Sequence, residues 1–227
     1  MPDMTAILAS LMLSAGASLL CCLLGIPACA MLTGKRNVAA RLGDLLLYLP
    51  LALPPIVTGL ILLELLHARG PIGGLAVALG LNPPAFTFWG ILLAATVSAF
   101  PIAVRPMLTA AARLPQGLVE GYTAIGATPA HIAWRVRVPF AVPGIITGTA
   151  VAFAHASGQF GAIYLVGGNI EGRTRTASIA VFDSIQSLDM TSAWSTTAAL
   201  ATIVLSVLGA GLWLSHRLTP VREYGHA

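Results

Sequence analysis

Long apolar stretches alternate with short polar ones along this chain. The first, Met4 to Leu32, contains no charged residue. The second runs from Leu45, just after Asp44, to about Leu66, and carries Glu64 near its far end. The third covers roughly Phe86 to Met107. The fourth starts at Pro139 and fades near Val166, and the fifth runs from about Ala193 to Leu214. Roughly 20 apolar residues cross a bilayer as a helix. The pattern therefore predicts an all-α protein, a polytopic transmembrane bundle of about five spans forming one domain over residues 1–227. The first run has no basic segment ahead of it, only Asp3, and is too long for the apolar part of a cleaved signal. It is expected to be a retained span.

Two connections look structured. Pro71 to Gly80 has proline where helices start and glycine where they stop, which predicts a short interfacial helix. Thr176 to about Leu188 spaces its apolar residues helically and is expected to dip part-way into the protein.

Composition agrees with the periodicity. Charged residues make up 9% of the chain, against about 25% in soluble domains. Hydrophobic residues make up 57%, and the mean hydropathy is +0.87. A soluble chain of this length has too small an interior to hide so much apolar surface. The three cysteines, Cys21, Cys22 and Cys29, all lie in the first run without metal-ligand spacing. They are expected to be small buried hydrophobes.

The positive charges set the orientation. Lys35, Arg36 and Arg41 follow the first span. Arg105, Arg113, Arg135 and Arg137 lie near or after the end of the third, and Arg217 and Arg222 are in the tail. The other side receives only Arg69, Arg173 and Arg175. The excess marks the cytoplasmic side, which places the N-terminus outside and the C-terminus inside.

The cytoplasmic stretch Leu114 to Pro139 is the most informative loop. Pro115 occupies a first-turn position, and Gly126 can end that helix in a left-handed conformation. Thr128 is placed to cap a second helix beginning at Pro129. Leu118, Tyr122 and Ile125 share one helix face. An apolar stripe away from lipid is either a docking surface for a partner or a face packed on the protein's own bundle. Spacing leaves both open.

Within this loop Glu120, Gly126, Val136, Val138 and Pro139 resemble the EAA loop of ATP-binding-cassette importer permeases. Gly121 and Tyr122 replace that motif's two alanines. The stretch Leu49 to Gly59, with Pro50, Pro54 and Pro55, is similar to the second-span signature of the molybdate and sulfate branch. Pro101, Val104 and Arg105 resemble the end of its next span. Phe153 to Ala162 looks like its Phe-Ala-Arg-x-x-Gly-Glu-Phe-Gly-Ala element, with His155 in the Arg position and Gln159 in the Glu position. Arg173 to Thr176 resembles the external loop that follows. The resemblance implies a type I importer permease in a bacterial inner or plasma membrane, carrying an oxyanion, most like molybdate. It implies a second copy of the chain, separate ATPase subunits and an external oxyanion-binding protein as partners. The coupling residues it implies are Leu118, Glu120, Tyr122, Ile125, Gly126 and Pro139.

The residues add their own mechanism. Gly34-Lys35 is followed by Arg36 and lacks an upstream glycine at phosphate-loop spacing, so a motor must come from another polypeptide. No catalytic set, metal site, cofactor or nucleic-acid partner is expected. Pro50, Pro54 and Pro55 in span two, and Pro101 and Pro106 in span three, are expected to bend helices that line a pathway, or to be static kinks. Ser98, His155, Ser157 and Gln159 are pathway candidates, as neutral polar groups suited to an oxyanion. Gly144, Gly148, Ala152 and Ala156 form a small face fit for close packing within the subunit or at a dimer seam. Sulfate, thiosulfate and tungstate remain alternatives to molybdate. A secondary transporter or channel is the rival class, but paired repeats and midplane carboxylates are missing from the sequence. A membrane-anchored assembly factor is a third class, for which proline-rich spans are unnecessary.

Overall fold

The computed structural model describes residues 1–32, 47 and 49–219. Lys35, Arg36, Arg41, Asp44, Leu45 and Arg222, used above for orientation and for the start of the second run, lie outside the described residues. Helix α1 spans Met4–Leu32, α2 Pro55–Leu66, α3 Pro71–Ala78 and α4 Phe88–Ala112. The loop holds α5, Gln116–Ala124, and α6, Pro129–Ile132. A π-helical turn at Ala133–Arg137 leads into α7, Val138–Phe140. Helix α8 spans Val142–Gly158, α9 Gly161–Gly167, α10 Ala177–Gln186 and α11 Met190–Leu218. Among the described residues there are no strands.

Four stretches are long and apolar enough to cross a bilayer: Met4–Ala30, Pro55–Ala78, Phe88–Ala112 and Met190–Leu218. A fifth arises if Pro129–Phe140 and Val142–Gly158, bent by 65°, form one broken span. The expected bundle is therefore present, with two corrections. The fourth run does not begin as a span at Pro139, because that residue lies in the short α7 and the span helix restarts at Val142. Pro143 lacks the N–H that would bond Pro139 O, so the helix turns there. Nor does the fourth run reach Val166 unbroken: α8 ends at Gly158, Gln159 is extended, and α9 begins at Gly161.

Pro54 and Pro55 also behave differently from the expectation of a kink. Pro54 is the N-cap of α2 and Pro55 its first residue. At a first turn the missing amide costs nothing, since that N–H would be unpaired anyway. Pro101 and Pro106 do lie inside α4.

Helices α1, α4 and α8 pack together as the core, and α11 lies against α8 from outside. Small residues bring the core backbones close. A side chain at Gly148 would collide with Ala103 O, and one at Gly144 with Pro106 O. Ala152 and Ala156 are likewise buried, in clusters with Cys21, Ala99 and Leu13. The small face is thus an intrasubunit contact with α4. Dispersion at this close approach substitutes for the hydrophobic effect, which is weak between helices in lipid. Cys21 and Cys29 are buried as expected; their thiols lie 3.7 Å from Thr96 O and 3.5 Å from Met107 O.

Serine hydroxyls lock the outer half. Ser157 Oγ is 2.8 Å from Ser14 Oγ, and Ser10 Oγ accepts from the Ala177 amide at 2.8 Å. That second bond satisfies an orphan N–H at the start of α10 from a different helix. With Ala177, Ile179 and Ala180 buried, α10 does enter the protein. At the outer surface Arg175 Nη2 lies 3.8 Å from Asp3 and 3.5 Å from Asp183. At the opposite end Ser215 Oγ donates to Pro143 O at 2.8 Å. These contacts put Asp3 and Arg175 at one end of the bundle and Ser215 and the start of α8 at the other.

Candidate coupling and translocation site

The loop from Leu114 to Pro139 forms the two short helices expected of it. Pro115 is the N-cap of α5, one residue ahead of the expected first-turn position. Gly126 has φ +84°, the left-handed region, where a Cβ is costly. Thr128 Oγ1 accepts from His131 N at 3.2 Å, and Pro129 follows as first residue of α6. No residue of α5 is buried. Ile125 is 80% exposed and Leu118 44%, whereas Tyr122 is half-buried. Glu120 and Pro139 are exposed. Of the two open readings, a face packed on the bundle does not match this exposure. The stripe divides: Leu118 and Ile125 face outward, while Tyr122 and Val119 are partly covered.

The π-helical turn was not visible in the sequence. It ends in Arg137, whose Nη1 donates to Ala30 O at 3.1 Å. Ala30 belongs to the last turn of α1, whose carbonyls lack helical partners and attract cations. The loop is thereby fixed to the C-terminal end of the first span.

Deeper in the bundle, the break between α8 and α9 faces the start of α2. A Cβ at Gly161 would lie 3.3 Å from Ile56 N and 3.5 Å from Pro55 Cβ, and one at Gly59 would lie 2.7 Å from Ala162 Cα. Two interrupted helices therefore meet with their backbones nearly touching. His155 Nε2 and Gln159 Nε2 are 3.0 Å apart across the break. With the amide donating, the ring proton resides on Nδ1. Gln159 Oε1 and Thr58 Oγ1 are buried without a partner. Unsatisfied acceptors and hydroxyls are rare in a packed interior. Thr58 carried no signal in the sequence beyond its place in the proline-rich segment.

The remaining candidates sit apart from this junction. Ser98 is buried on α4. Ser157 is buried and bonded to Ser14 Oγ and Phe153 O, so its hydroxyl is occupied by the chain itself. Among the described residues no group of His, Cys, Asp and Glu could hold a metal ion.

The described residues thus form a membrane bundle with interrupted helices at its centre and an exposed helix pair beyond one end. The chain belongs to the family described as the binding-protein-dependent transport system inner membrane component, whose model matches residues 23–220. It is a multi-pass membrane protein. It is 34% identical to the molybdenum transport system permease protein ModB of Azotobacter vinelandii, covering 82% of this chain and 83% of that one. It is 36% identical to the Escherichia coli K12 protein of the same name, over 82% and 81%. It is also 33% identical to a probable sulfate transport system permease protein, cysT, of Chlorokybus atmophyticus, over 77% and 57%. The fold is similar to a bacterial ABC transporter that imports the acidic polysaccharide alginate, with a TM-score of 0.77, 18% identity and 95% and 79% coverage. It is similar also to the MetNI methionine ABC transporter, with a TM-score of 0.69, 19% identity and 94% of each chain covered.

Proposed function

We propose that this chain is the membrane-spanning permease of an ATP-driven molybdate importer. It would work as two copies joined to two ATPase subunits and served by an external oxyanion-binding protein. The observation that carries this reading is the uncovered coupling helix: α5 buries no residue of its own, although Leu118, Tyr122 and Ile125 are apolar. An apolar helix face of this kind suits the hydrophobic groove of a partner. Leu118, Glu120, Tyr122, Ile125 and Gly126 would dock in the ATPase, and Pro139 would join the loop to the span.

The oxyanion path would pass the junction of the two interrupted helices, by Pro54, Pro55, His155 and Gln159. Ser98 and Ser157 would support it from the packed side. The ModB relatives favour molybdate over the sulfate, thiosulfate and tungstate alternatives. The reconstituted transporter, with ATPase and binding protein, should take up labelled molybdate only with ATP, and excess sulfate should compete weakly. Uptake without ATP, or preference for sulfate, would overturn the reading.

A further inference from the structure

One side-chain pair spans the interruption between α8 and α9. His155 lies in the last turn of α8, and Gln159 is the extended residue beyond its end. Gln159 Nε2 donates to His155 Nε2 at 3.0 Å. Gln159 is only 8% exposed, and its Oε1 has no partner. The bond to His155 is therefore the one hydrogen bond that its carboxamide makes among the described residues. A buried amide stripped of its last partner is costly, so His155 decides where the Gln159 side chain sits. Gln159 is itself the break, and its side chain carries the backbone direction with it.

That direction matters two residues later. Gly161 opens α9 on the first turn of α2, close to Ile56 N, and Gly59 faces the Ala162 backbone. A backbone contact this close has no slack, so a small rotation of α9 about the break changes its seat on α2. Little else fastens the break. A Cβ at Gly158 would meet nothing within 4 Å, and Gln159 N reaches Ala156 O only at 3.4 Å. The body of α9 is held independently. The Phe160 ring lies 4.8 Å from that of Phe182, and Ala162, Ile163 and Val166 are buried. Loss of the pair therefore leaves α9 folded and in place but frees its angle. Phe153 to Ala162 departs from the element it resembles at these two residues, so both departures fall on one bonded pair.

We propose that His155 and Gln159 act as one unit, a positioning pair that sets the angle at which α9 meets α2. They act on the oxyanion through that contact and not by touching it. The consequence for transport rests on the importer reading above, which places the path at this junction.

The test uses the reconstituted transporter with its ATPase and binding protein. His155→Leu and Gln159→Leu should each slow ATP-driven molybdate uptake on the order of tenfold. The two changes together should match the worse single within about twofold, because removing the second partner of one bond removes nothing more. His155→Arg combined with Gln159→Glu restores a complementary pair one helical turn apart, and should return uptake to within about threefold of wild type. A disulfide reads the position of α9 directly. A Cβ at Gly161 lies 3.5 Å from Pro55 Cβ, a separation that disulfides adopt. Oxidative crosslinking of Pro55→Cys with Gly161→Cys should be slowed by either leucine variant and restored by the Arg–Glu combination. Leucine changes that multiply toward about a hundredfold, an Arg–Glu combination no better than the singles, or crosslinking indifferent to all these variants would each overturn the proposal. Failure of the wild-type complex to take up molybdate with ATP would overturn the importer reading instead, and crosslinking would still decide whether the pair positions α9.

Discussion

Arg137 donates from Nη1 to the carbonyl oxygen of Ala30 at 3.1 Å, joining the coupling loop to the last turn of the first span. The bond crosses 107 positions of sequence and gives the loop a fixed reference in the membrane. Removing the guanidinium leaves an orphan helix carbonyl beneath the loop. Arg137→Ala should lower stability by about 1–2 kcal/mol and reduce ATPase stimulation by loaded binding protein. Thermal unfolding of the purified complex and its ATPase rate check both effects.

The proposed coupling loop can be tested at four positions. Gly126→Val forces a β-branched residue to φ +84°, at a cost on the order of 1 kcal/mol or more, and re-aims α6. Ile125→Ala and Tyr122→Ala remove apolar anchors, which can contribute about 2 kcal/mol or more to an interface. Glu120 is exposed, and a rim pair contributes about 1 kcal/mol or less, so Glu120→Ala should be mild. The first three variants should insert normally and lose stimulated ATP hydrolysis together with uptake. Wild-type coupling in all three would remove the loop from the mechanism.

Gly148 tests the small face. A side chain there meets Ala103 O and lies 3.0 Å from Met107 Cε. Gly148→Leu should destabilise each subunit by about 1–3 kcal/mol, lowering its melting temperature. Dissociation of a dimer with unchanged subunit stability would instead place this face at a seam.

The outer cluster predicts an acid dependence. Partial burial raises the pKa of Asp3, but the Ala6 amide, the Thr5 hydroxyl and Arg175 outweigh it and hold the carboxyl below its ordinary 3.8. A carboxylate depressed in the folded state stabilises it fully above the unfolded value and loses that contribution as pH falls through the folded value. The difference in melting temperature between wild type and Asp3→Asn should be constant near neutral pH and shrink below 3.8. A difference that persists unchanged into that acid range would count against the ion pair.

Orientation is checked by labelling. Gln116→Cys, exposed on α5, should resist impermeant reagents in intact cells and react in inverted vesicles. Labelling from outside would reverse the topology.

Much of the architecture was legible locally. Apolar run length gave a bundle of four to five crossings, because backbone groups in lipid must bond within their own helix. The left-handed Gly126, the Thr128 cap and the Pro129 start were readable because each rests on side-chain chemistry within a few residues of itself. Helix interruptions were harder. Pro54 and Pro55 announced a backbone irregularity, but a proline serves equally as a kink or a first turn, and only the preceding geometry distinguishes them. The stop at Gly158 carried less signal still, since an apolar run continues through it to Val166.

Hydropathy and capping act over a turn or two of helix, so a membrane bundle with a structured loop was readable from local residues. Which surfaces meet was settled only by the folding of the whole chain. It turned the Gly144–Gly148 face toward α4, set the Gln159 break beside Pro55, and aimed Arg137 at Ala30. Small faces, broken helices and long basic side chains each admit many partners. The choice among them depends on packing between helices distant in sequence, where close backbone approach and orphan carbonyls are satisfied together or not at all.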